Sequence, residues 1–222
     1  MESLMTCADQ GSIDSTELGS PQSCPEERSG MPVLGAGFCR FDNVLGGVIA
    51  DRLLQETCAA WSAASRGAAD HGGRESEWCV PFDRLRVPVL EDAVARWAPT
   101  ACAMLGFDIG DGALAYNFVM FQQGGRRPRP DAGWDGAVTD RDVSFVYQLY
   151  RRPRAFTGGG LRIFDLTVAD GRPGCADSFR EIAPRHDSIV FFPSVAWHEI
   201  EQVSCEGRDL LDGYFSFHGW LP

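Results

Sequence analysis

Two kinds of hydrophobic pattern divide the chain. Between residues 47 and 106, apolar side chains recur every three or four positions. In "GGVIADRLLQETCAAWSAA", Ile49, Leu53, Leu54 and Trp61 fall on one face of a helix. In "VPVLEDAVARWAPTACAMLG", Val94, Trp97, Ala101 and Met104 form a second stripe that Gly106 closes as a C-cap. The stretch between them, "RGAADHGGRESEWCVP", reads as a polar, glycine-rich loop. After residue 112 the period changes to two. "ALAYNFVMFQQ", "RDVSFVYQLY", "GLRIFDLTV", "DSIVFFPS" and "DLLDGYFSFHGW" are short β-branched and aromatic runs set apart by Gly, Pro, Asp and Arg. Helices followed by a series of strands predict an α+β fold, in which the helices buttress a β-sandwich or barrel-like double sheet. Residues 1–34 carry little periodic apolar content, so a disordered tail is expected there and a folded domain over 35–222. No internal repeat interrupts this order.

Composition narrows the function classes. The chain of 222 residues suits one domain with a sizeable core plus a tail, and 44% hydrophobic with 23% charged residues is typical of a globular protein. No apolar run approaches the roughly 20 residues that span a bilayer, and the first residues lack a basic and apolar leader pattern, so a cytoplasmic protein without a membrane partner is expected. The net charge of −11 argues against nucleic acid as a partner, because phosphates would be repelled. Eight cysteines without a CxxC pair argue for thiols rather than a structural zinc site.

Three stretches carry candidate chemistry. "IVFFPSVAWHEI" runs an apolar strand directly into His198, an imidazole that either closes a strand structurally or ligates a metal. "AFTGGGLRIFD" is a turn whose glycines permit positive φ before a strand; it is not a phosphate loop, because no helix follows. Arg208 lies ten residues beyond His198. A β-hairpin would set the two on neighbouring strands, where a guanidinium grips a carboxylate bidentately. Two arginine clusters, "GGRRPRP" (124–130) and "YRRPR" (150–154), read either as a solvated rim or as an electropositive gate on an acidic chain.

Taken in order, "RDVSFVYQL", "FTGGGLRIFD", "IVFFPSVAWHEI" and the Arg at 208 resemble the 2-oxoglutarate/Fe(II) dioxygenase superfamily, specifically its prolyl-4-hydroxylase-like branch, over roughly residues 112–218. The resemblance implies a double-stranded β-helix (jelly roll) with a site in its mouth, and Fe(II) with 2-oxoglutarate as cofactors. It matches His198 to the distal iron ligand and Arg208 to the group that pairs with the C5 carboxylate of 2-oxoglutarate. Gln148 falls where many relatives place a tyrosine that helps hold that carboxylate, since an amide also donates a hydrogen bond, and Tyr147 beside it is a further candidate to bind the co-substrate.

The family's iron site needs a His-x-Asp/Glu pair as well, leaving three positions open for co-substrate and dioxygen. The segment that should supply it, "RRPRPDAGWDGAVTD", contains no histidine: Arg129 precedes Asp131 by two, and Gly133 precedes Asp135. The resemblance therefore implies a degenerate metal site of His198 with Asp131 or Asp135. The expected substrate is a small molecule, anionic or carrier-tethered, such as a natural-product intermediate. The other class is a metal-independent cyclase or isomerase, or a non-catalytic binding protein, on the same scaffold. There His198 or Asp131 does acid–base work within a shaping aromatic barrel.

Overall fold

The computed structural model describes residues 32–65, 77–81, 86–127, 142–169, 172–207 and 209–222, without the side chains of 61–65 and 77–81. The elements are β1 (Val33–Leu34), β2 (Cys39–Asp42), α1 (Gly47–Ser65), β3 (Glu77–Pro81), α2 (Pro88–Leu105), β4 (Ala115–Phe121), β5 (Val143–Leu149), β6 (Phe156–Thr157), β7 (Leu161–Ala169), β8 (Arg172–Ile182), β9 (Ser188–Pro193), β10 (His198–Ile200), β11 (Ser204–Cys205) and β12 (Tyr214–Trp220). Six strands form one antiparallel sheet in the order β2-β9-β5-β12-β4-β3; β1-β7-β10, with β8 on β7, form a second, and β11 pairs β6. The α+β jelly roll expected from the sequence is the fold observed.

The alternation of side chains along a strand assigns each residue of the large sheet to one of two cores. Phe145, Tyr147 and Leu149 of β5, Ile189 and Phe191 of β9, and Phe215 and Phe217 of β12 pack towards α1 and α2. Val146, Val190, Phe192 and Tyr214 point the other way, into the core between the two sheets with Leu161, Ile163 and Ile200. The same parity turns Gln148, Ser188, Ser216 and His218 into the barrel. Register makes the row explicit: Gln148 lies opposite Ser188 on β9 and opposite Ser216 on β12, and His218 lies opposite Val146.

The helix faces are rotated slightly from the sequence reading. α1 buries Ala50, Leu53, Leu54 and Cys58 but leaves Ile49 46% exposed. α2 buries Leu90, Ala93, Val94 and Ala101, stacks Trp97 on Phe41 at 4.5 Å, and leaves Met104 66% exposed. Gly106 is the C-cap, with φ +81 and its N–H donated to the Cys102 carbonyl. Asp187 ties the helical layer to the sheet. Its carboxylate accepts the N–H groups of Leu45 and Gly46 at 2.9 Å, just before α1, and the Tyr147 hydroxyl at 2.8 Å.

Three expectations change. The stretch between the helices is not all loop, since 77–81 form the edge strand β3 paired with β4. β8 gave no apolar alternation because seven of its eleven residues are exposed, and it is held by its ladder to β7. The folded domain starts before residue 35: Val33 and Leu34 pair with Thr167 and Leu166, and the N–H of Ala36 reaches the Asp165 carboxylate at 3.0 Å. Because residues 1–31 lack periodic apolar positions, deleting them should leave the thermal midpoint unchanged, whereas deletion through Leu34, which removes the β1 ladder, should lower it by about 2–4 °C. Differential scanning calorimetry of both truncations checks this, and a drop of many degrees on the first deletion contradicts it.

Candidate active site

The site begins with β10. Its ladder to β7 sets His198 opposite Ile163 and Ile200 opposite Leu161, all on the inner face, while Glu199 faces outward opposite Arg162. Outside, Arg162 joins Glu181, Glu199 and Glu201 in one ion-pair cluster. That exterior network fixes the strand and leaves the imidazole to the interior. The Gly-rich turn before β7 makes this approach possible. Gly158 and Gly159 have φ of +73 and +76, and a Cβ on Gly158 would strike the Gln202 carbonyl.

His198 packs edge-on against Phe192 at 4.9 Å and lies parallel to His218 at 6.5 Å. Burial, reinforced by the charge of Arg127, pushes its pKa down to about 4. The imidazole is neutral at pH 7, the state in which histidine ligates a metal. Burial and Arg127 also hold His218 well below the usual range.

A row of polar atoms continues from His218. Its Nε2 lies 2.8 Å from the Ser216 hydroxyl, while Nδ1 is buried without a partner. The Tyr214 hydroxyl lies beside Ser216 and Gln148, yet makes no hydrogen bond of good geometry with either. The Gln148 amide oxygen accepts from the Arg185 N–H at 2.9 Å and from Ser188 at 3.2 Å, which turns its Nε2 inward, also unpartnered. Unsatisfied buried polar atoms each cost about 1–3 kcal/mol. Three in one interior mark a place where a ligand completes the hydrogen bonding. Donors such as the Gln148 amide and the Tyr214 hydroxyl suit a carboxylate.

The other sequence candidates fall differently. Tyr147 is one residue from Gln148 and therefore on the opposite face, bonded to Asp187 under the helices; the structure does not bring it to this site. Among the described residues, β10 forms no hairpin with a strand that follows it. β10 pairs with β7, and the chain beyond it runs along residues 124–127, where Val203 bonds to Gly124 and Gly125, before β11 joins β6. Arg208, Asp131 and Asp135 lie outside the described residues, as does His71. His186 belongs to the outer layer, where Nδ1 accepts the Tyr150 N–H and Nε2 lies 3.2 Å from Asp51. Among the described residues, no three histidine, cysteine or carboxylate groups converge to hold a metal. His198 thus fits as one ligand, and the donors at Gln148 and Tyr214 fit a co-substrate carboxylate. Sequence reasoning missed Tyr214 and Ser216, chose no face for His218, and took Arg127 only as one of the 124–130 arginine cluster. The first three alternate with phenylalanines in "YFSFH", a period-two signal that assigns them one face.

The sequence profile of the 2OG-Fe(II) oxygenase superfamily matches residues 117–221. An uncharacterized PKHD-type hydroxylase of Synechocystis sp. is 34% identical over 91 residues, which cover 41% of this chain and 30% of that relative's length. A Pseudomonas putida prolyl-4-hydroxylase superposes with a TM-score of 0.52 at 19% identity, covering 84% of this chain and 92% of the other. A Trichoplax adhaerens prolyl hydroxylase, solved with a hypoxia inducible factor peptide fragment, gives 0.57 at 16% identity and 83% of each chain.

The depressed histidines make stability pH-dependent. The unfolded chain binds protons at His198 near its ordinary 6.5, while the folded chain resists until about 4, so stability is complete above 6.5 and falls as pH drops across that window. Urea titrations at pH 7, 5.5 and 4.5 should show this loss, and a His198→Gln, His218→Gln double variant should show a shallower slope. Equal slopes would place the acid lability elsewhere.

Proposed function

We propose that this chain, which belongs to the 2-oxoglutarate/Fe(II) oxygenase superfamily on its prolyl-4-hydroxylase-like side, oxidises a small molecule through a metal site with fewer protein ligands than the family's pattern. The carrying observation is the inward placement of His198 across the barrel from the unpartnered Gln148 and Tyr214 donors. In this reading His198, with Asp131 or Asp135, holds Fe(II), and Arg208 with Gln148 holds the far carboxylate of 2-oxoglutarate. The bound pair supplies the oxidation in which R–H, O2 and 2-oxoglutarate become R–OH, succinate and CO2. The chain's own contribution is to keep His198 neutral, to orient the co-substrate through Gln148 and Tyr214, and to exclude water with Phe121, Phe192 and Val190. The aromatic interior supports a small substrate such as a natural-product intermediate, located in the cytoplasm.

A second reading rests on one observation: residues 128–141 contain no histidine. In it the barrel binds, cyclises or isomerises a small molecule without metal, and His198, neutral at pH 7, acts as a base. Metal analysis and calorimetry on anaerobically purified protein separate the two. The oxygenase reading predicts iron binding that tightens with 2-oxoglutarate and falls about 100-fold in His198→Ala. It also predicts a rise in iron affinity in Arg129→His or Gly133→His. Activity that survives chelation, with no 2-oxoglutarate binding, would establish the metal-independent reading instead.

A further inference from the structure

Arg127 carries an inward charge that no carboxylate among the described residues answers. It forms an antiparallel bridge with Ile200, exchanging both backbone hydrogen bonds at 3.1 and 2.8 Å. Residues directly opposite in such a bridge project to the same face. Ile200 is 1% exposed and belongs to the inner core, so the Arg127 side chain is directed inward, whereas its neighbour Arg126 is exposed. Arg127 itself is partly buried, and its charge bears on both His198 and His218. Among the described residues, no carboxylate pairs with it. A second observation points into the same space: the Nδ1 of His218, a residue 3% exposed, has no partner. A partly buried guanidinium set beside two imidazoles makes this an anion-favouring place, since desolvating a cation without a counter-charge is costly.

We infer that Arg127 is the anchor for a carboxylate carried by the primary substrate, held at the barrel mouth beside His198. The inference rests on the oxygenase reading for its division of labour. The neutral donors of Gln148 and Tyr214, on residues fully buried along β5 and β12, serve the co-substrate. The cation on the bridge to β10 is partly open to solvent and can meet a molecule arriving from outside. Arginine supplies a planar, bidentate grip that fixes orientation as well as charge. A carboxylate fixed there sets the substrate's adjacent carbons next to His198, so this residue would determine which carbon is presented.

The test uses the full-length protein, metal-free, with 3-phenylpropionate as probe: a carboxylate for Arg127 and a ring for Phe192 and Phe121. Its amide, 3-phenylpropionamide, is the neutral control. Calorimetry gives affinities, and NMR of the imidazoles gives location. The acid should bind and shift the His198 and His218 signals, while the amide should bind about tenfold more weakly or worse. Arg127→Gln should lose the acid by about tenfold or more, Arg127→Lys should retain part of the affinity, and Arg126→Gln should leave it unchanged. Thermal unfolding of each variant, together with the Lys variant, separates lost binding from lost folding. 2-Oxoglutarate affinity should be unaffected by Arg127→Gln. Failure of the acid to bind, or equal binding to wild type and Arg127→Gln, overturns the inference. So does loss of 2-oxoglutarate in Arg127→Gln, which would give the guanidinium to the co-substrate. If wild type binds the acid through Arg127 but neither iron nor 2-oxoglutarate, the oxygenase reading fails while the Arg127 site stands.

Discussion

Strand alternation in the six-stranded sheet is the constraint on which the rest depends. Because neighbouring residues face opposite ways, the large sheet builds two cores from the same strands. One set of aromatics, Phe145, Tyr147, Phe191, Phe215 and Phe217, seals the helical layer. The alternate set leaves Gln148, Ser188, Ser216 and His218 inside the barrel, among Val146, Val190 and Phe192. A one-residue slip of β12 would put His218 under the helices and phenylalanines in the site. The Gln148–Ser216 and Phe217–Tyr147 pairings hold the register against that slip.

The polar interior is expensive, and its arrangement follows from that expense. Ser216 answers one nitrogen of His218, and Arg185 and Ser188 answer the amide oxygen of Gln148. These bonds aim the remaining donors at a common space rather than satisfying them. Two imidazoles, the orphaned donors and an inward guanidinium together make this interior suited to anions. One of the family's cofactors, a dicarboxylate, is of this kind.

Much of the fold was legible in the sequence. The switch from helical to strand period near residue 112, the Gly-rich turn and the run into His198 all rest on local patterns, and each is found in the structure. The site was less legible. The strand beside His198 is β7, a contact between residues 35 apart that no local pattern announces. Tyr147 was grouped with Gln148 by adjacency, although adjacency in a strand separates two residues onto opposite faces. Arg127 read as one of several rim arginines, and only its bridge to Ile200 distinguishes it from exposed Arg126. β8 and β3 escaped notice because edge strands need no apolar alternation.

The central claim is that the inner row of β5 and β12 is a ligand site. A crystal structure of the full chain grown anaerobically with Fe(II) and 2-oxoglutarate tests it most directly. The account predicts a metal on His198 and a carboxylate within hydrogen-bonding distance of the Gln148 Nε2 and the Tyr214 hydroxyl. An interior holding only water, with 2-oxoglutarate elsewhere or absent and Gln148 turned to bond within the chain, would contradict it.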